Sequence, residues 1–182
     1  MPYTRPLGNI KMKISQKISK LLEVNPDATF EIGKNETKYS PEKIESIESK
    51  YGVHLPEDFK IIFSDFGAFS IYNNSEFLGF SANDILGNQL SPLEGEFSNL
   101  TGTVPIGSAP DGSFYFYDTK DVVGFGEFSI YLVDPGNTSW QDSLYIASNL
   151  TELIEKIIVG EDIENSSYLA DLKTKKTLPN KT

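Results

Sequence analysis

The sequence predicts an α+β fold, a single domain in which helices flank a mostly antiparallel, mixed sheet. Three observations lead there. Apolar residues recur at helical spacing in three stretches, Ile10–Val24, Ile44–Gly67 and Ser148–Val159. Between the second and the third lie short β-like runs punctuated by Gly, Pro, Asn and Asp. Strands and helices are thus segregated along the chain, which favours helices layered on one sheet over an alternating parallel arrangement. The 182 residues, 38% apolar and 23% charged, suffice to bury a sizeable core.

Taken in order, residues 1–9 read as a loose arm containing Pro2, Pro6 and Gly8. Ile14, Ile18, Leu21 and Leu22 then form the apolar stripe of a helix over Ile10–Val24, with Lys11, Lys13, Lys17 and Lys20 on its other faces; Asn25-Pro26 ends it. Its apolar face lacks aromatics, so packing against the domain is favoured over lying on a membrane. Ala28–Ile32 is a short strand with Phe30 and Ile32 on one face. Ser40-Pro41 announces a helix whose stripe is Ile44, Ile47 and Tyr51, and Gly52 closes it by entering the left-handed region. Leu55-Pro56-Glu57-Asp58 opens the next helix, with Phe59, Ile62, Phe63 and Phe66 as its apolar face and Gly67 as its stop.

Strands follow at Phe69–Ile71, Phe77–Phe80 and Thr103–Ile106. A short helical turn over Ala82–Leu86 and a long loop over Asn88–Gly102 separate the last two. Ser113–Asp118 is an aromatic-rich strand, Asp121–Gly126 a turn, and Glu127–Val133 a strand apolar on both faces, which suits a central position. Leu144–Ala147 is a last strand. Ser148 caps a helix whose core face is Leu150, Leu153, Ile154, Ile157 and Ile158, stopped by Gly160. Three parts result: an arm and basic helix over 1–40, the body over 41–160, and a polar tail over 161–182.

Charge is divided unevenly along the chain. Residues 1–40 carry seven basic and four acidic side chains, residues 41–172 five and twenty-two, and residues 173–182 four lysines. Residues 41–172 are therefore net −17 between basic ends. Such a surface repels phosphate backbones, which argues against nucleic acid as a partner. It favours a cationic partner, or simply keeps the protein soluble. Cysteine is absent, which removes disulfides, thiol chemistry and Cys-ligated metals. No stretch has the length of a signal peptide's apolar core or of a membrane span, so a cytoplasmic protein is expected.

No motif points to a cofactor or a metal. His54, the lone histidine, sits in the turn between two helices without a second histidine to share a metal. Asp111, Asp118, Asp121, Glu127 and Asp134 cluster around the strand turns. They can be turn chemistry, a partner-facing acidic surface, or, if held at the right separation, an acid–base pair. Glu94 and Glu96 add charge to the long loop, a length of loop that is often functional. Trp140 follows a turn and reads as core packing or as an interface anchor. The partner-binding candidates are accordingly Glu94, Glu96, Asp111, Asp118, Asp121, Glu127 and Trp140; there is no catalytic candidate.

The succession IESIESKYGVHLPEDFKIIFSDFG, VPIGSAPDGSFYFYD, IYLVD and LYIASNLTELIEKII resembles the SUKH superfamily over about Pro41–Gly160. That group includes yeast cell-wall-assembly regulators (killer-toxin-resistance proteins) and many bacterial immunity proteins. The most specific segments are Glu48–Phe59, with Gly52, Leu55 and Pro56, and Ile146–Ile157. The resemblance implies a sheet flanked by helices and no enzymatic activity. It also implies a protein that neutralises a toxin, often a nuclease, by binding it, or a regulatory binding protein without a toxin partner.

Overall fold

The computed structural model describes residues 7–33, 38–73, 76–79, 102–108, 112–123, 126–134 and 143–163. In chain order the elements are α1 (Leu7–Val24), β1 (Thr29–Ile32), α2 (Pro41–Tyr51), α3 (Glu57–Phe66), β2 (Phe69–Asn73), β3 (Glu76–Gly79), β4 (Thr103–Ser108), β5 (Phe114–Val123), β6 (Glu127–Val133), β7 (Leu144–Ala147) and α4 (Leu150–Ile158). The fold is α+β, as expected. The strands lie in chain order, β1 through β7, and every described pair is antiparallel. Among the described residues β3 meets β4 at one pair, Gly79 opposite Ser108, which divides the described sheet into β1–β3 and β4–β7.

Alternation along the strands sends one face to the helices. Phe69, Ile71, Val104, Ile106, Tyr115, Tyr117, Phe128, Ile130, Leu132 and Ile146 form a single core with Ile44 and Ile47 of α2, Phe59, Ile62 and Phe63 of α3, and the apolar stripe of α4. Ile18 of α1 is buried in the same core, and α1 packs on α3 and α4. In β1 the register puts Phe30 and Ile32 on the core face, but only Phe30 packs, against Phe66 and Phe69; Ile32, at the sheet edge, is 52% exposed.

Local signals explain the helix ends. Ser40 accepts a hydrogen bond from the Lys43 N–H, and Gly52 closes α2 at φ 66°, ψ 33°. Glu48 then fixes the turn into α3: Oε1 accepts the Leu55 N–H at 2.8 Å and lies 3.1 Å from the Lys60 ammonium. Burial works against its charge, but those two partners outweigh it and hold the carboxyl below its usual value. The cap of α4 falls one residue later than Ser148. Asn149 accepts the Glu152 N–H, while Glu152 reaches back to the N–H and hydroxyl of Ser148.

Two long-range bonds fasten α4. Asp58 Oδ2 accepts the Thr151 N–H at 3.0 Å at its start, and Asn73 Nδ2 donates to the Ile158 carbonyl at 2.7 Å at its end. The helix contacts β7, β2 and β3, and so spans both halves of the sheet.

Candidate functional site

Among the expected partner-binding residues, Glu94, Glu96, Asp111 and Trp140 lie outside the described residues, as does most of the Asn88–Gly102 loop. The other three fall in two separate places. Asp118 and Asp121 share one face of the sheet's β5–β6–β7 side, and Glu127 faces α3 and α4.

The first place begins with a correction to the strand boundaries. Asp121 opens no turn: β5 continues to Val123. Asp118 pairs with Ser129 and Val122 with Phe128, so Thr119, Lys120 and Asp121 are extruded as a bulge, with no periodic signature in the sequence. The bulge is pinned to the start of β4. The Thr119 N–H and hydroxyl both donate to the Gly102 carbonyl, at 2.9 and 2.7 Å. Gly102 has φ +81°, a backbone conformation that favours glycine; the Lys120 Cε that a Cβ would approach at 2.8 Å ends a flexible side chain that can move aside.

Alternation puts Asp118, beside Ser129, on the same face as Tyr131, and Tyr131 pairs with Tyr145 of β7. The Tyr131 hydroxyl donates to Asp121 Oδ2 at 3.4 Å. The two tyrosine rings stand edge to face, 5.7 Å apart at 79°. Burial first, then the charges of Asp121 and Asp118, push the Tyr131 hydroxyl up to about 12. Burial and Glu152 push Tyr145 up as well. Tyr145 is 38% exposed. The result is an aromatic corner flanked by two carboxylates. Neither tyrosine stood out in the sequence, because only strand register brings them together.

The second place is a pocket of about 300 Å³ beneath α1, lined by Ile14, Lys17, Asp58, Glu127, Asn149, Thr151, Glu152 and Glu155. Asp58 is 4% exposed. Its oxygens accept the Phe59 N–H at 2.7 Å, the Thr151 N–H at 3.0 Å and the Thr151 hydroxyl at 3.3 Å, so one carboxylate serves the starts of both α3 and α4. Glu127 lies against it, and Glu127 Oε2 is buried without a donor among the described residues. Two bare carboxylates cannot share that contact. Burial, then the charge of Asp58 and the hydrogen bond between the two carboxyls, raise Glu127 to about 9, so at neutral pH it keeps its proton and donates it to Asp58. The Tyr117 hydroxyl, fully buried near both acids, is pushed well up by burial and by their charges. Lys17 of α1 is ion-paired with Glu155 at the pocket rim. Both Asp58 oxygens are occupied by backbone and threonine donors, which suits a structural clasp.

His54 is on the surface, its side chain 98% exposed and Nδ1 3.8 Å from Glu48 Oε1. Among the described residues no group of three or more His, Asp or Glu is placed to hold a metal ion, and no helix is long and apolar enough to cross a membrane.

Geometry therefore defines an α+β domain with an acidic, tyrosine-bearing sheet face and a helix layer locked by buried acids. The model of the SMI1 / KNR4 family (SUKH-1) matches residues 38–156, well over half of the chain, and the chain belongs to that family. The match begins two residues before the Ser40 cap and ends inside α4, leaving α1 outside it. No curated protein matches the chain.

Proposed function

We propose that this protein is an immunity protein that neutralises a cognate toxin by stoichiometric binding in the cytoplasm, without catalysis of its own. The observation that carries this reading is the acidic aromatic face of Asp118, Asp121, Tyr131 and Tyr145, in a stretch, residues 41–172, with net −17. Tyrosine supplies contact area at low entropic cost, and fixed carboxylates supply steering and register. A nuclease is the toxin class that such a surface fits, because its substrate groove is cationic and the acidic side chains imitate the charge of its substrate. Residues 41–160 form the binding body in this reading, and the basic helix and the lysine-bearing tail are accessories.

Co-expression with the product of the adjacent gene tests it. The expected result is a stable one-to-one complex and protection of the host cell. Absence of a neighbouring toxin, or a neighbour that is neither bound nor neutralised, overturns it. Capture of several unrelated intracellular partners in place of one neighbour would instead identify a regulatory binding protein of the same family.

A further inference from the structure

We infer that the corner formed by Asp118, Asp121, Tyr131 and Tyr145 is built to receive an arginine side chain presented by a protein partner, in preference to lysine. The inference rests on the reading that the chain binds a cationic protein; it adds which cation, and where. Four features support it. The Tyr131 and Tyr145 rings stand perpendicular at 5.7 Å, and Tyr145 is 38% exposed, so an incoming cation can reach an aromatic face. Asp118 and Asp121 flank the rings, and neither is ion-paired among the described residues. Of their oxygens, Asp118 Oδ1 accepts the Lys120 N–H at 2.9 Å and Asp121 Oδ2 accepts the Tyr131 hydroxyl. Asp118 Oδ2 and Asp121 Oδ1 remain without a donor among the described residues. A guanidinium is planar, so it can lie on a ring while its N–H fork meets two carboxylate oxygens; an ammonium, a compact point charge, cannot do both.

The corner is also held in advance. The two bonds from Thr119 to the Gly102 carbonyl fix the bulge that carries Asp121, and the tyrosine pair is fixed by the β6–β7 register.

The test titrates labelled nona-arginine and nona-lysine peptides with the full chain, read by fluorescence anisotropy at about 150 mM salt. Wild type is expected to bind the arginine peptide about fivefold tighter than the lysine peptide. Tyr145→Ala should remove that preference, Tyr145→Phe should keep it, and Asp121→Asn should weaken both peptides about threefold. Equal affinity for the two peptides in wild type, or an arginine preference that survives Tyr145→Ala, overturns the inference. So does full protection against a neighbouring toxin by the Tyr145→Ala and Asp121→Asn variants, which leaves the immunity reading standing. Arginine preference lost in Tyr145→Ala, with no neighbouring toxin bound, sinks the immunity reading and supports the corner.

Discussion

Asp58 is the residue on which the helix layer turns, because its carboxylate lies at the start of α3 and accepts from Thr151 at the start of α4. Its neighbour Glu127 makes that position pH-sensitive. The folded Glu127 carboxyl titrates at about 9 against an ordinary 4.5. A raised folded value means that the folded state binds the proton more tightly. The stability this contributes is full below about pH 4.5 and is lost as pH rises towards 9. Thermal melts of wild type should therefore fall steadily from pH 5 to 9, while Glu127→Gln, whose amide still donates to Asp58, should flatten that slope. Because Glu127 is incompletely buried, the gain of the variant at pH 9 should be about 1–2 kcal/mol, well short of the full shift. Asp58→Ala should cost about 2 kcal/mol at pH 7 in chemical denaturation, through the orphaned Thr151 and Phe59 N–H groups.

At the scale of elements, most helix ends and the spans of β6 and β7 are legible in the sequence, and the β5 bulge and the strand pairing are not. Ser40, Pro41, Gly52 and Gly67 act through their own backbone, so their roles can be read from local sequence. At Gly52 a Cβ would meet nothing within 4 Å, so Gly52→Ala isolates the left-handed backbone cost. Urea denaturation should show a loss of about 1 kcal/mol. Asp118 reads as the end of a strand and Asp121 as the start of a turn, because a bulge leaves no periodic mark and depends on the facing strand. The Tyr131–Tyr145 corner was invisible for the same reason. Asp58 gave no local clue to a partner 93 residues away, nor Asn73 to one 85 residues away. Asn73→Ala should cost about 1–3 kcal/mol by the same measurement, since it unties the end of α4 in a buried setting.

On the scale of the whole molecule, α1 lies outside the matched family region yet shares its core. Ile18 is buried beside the α3 and α4 side chains, Ser15 bonds Asp65, and Lys17 meets Glu155. Ile18→Ala should cost about 2–4 kcal/mol and keep one sharp transition, with circular dichroism and tyrosine fluorescence coincident. A separate early transition for α1 would contradict its membership of the cooperative unit. The charge pattern acts over longer distances. Association with a cationic partner should slow at least tenfold between about 50 and 500 mM salt, in stopped-flow measurements, with a much smaller change in dissociation.

The strand order, identical to the chain order, has a kinetic consequence. Each described strand pairs with its chain neighbour, so sheet pairing demands little loop-closure entropy except between β3 and β4, whose paired Gly79 and Ser108 lie far apart in sequence. The late step of folding should then be the arrival of α4, which braces both halves only after Asp58 and Asn73 are in place to receive its two ends. In hydrogen–deuterium exchange during refolding, amides of β5 and β6 should become protected before those of α4, and Asn73→Ala should speed unfolding more than it slows folding.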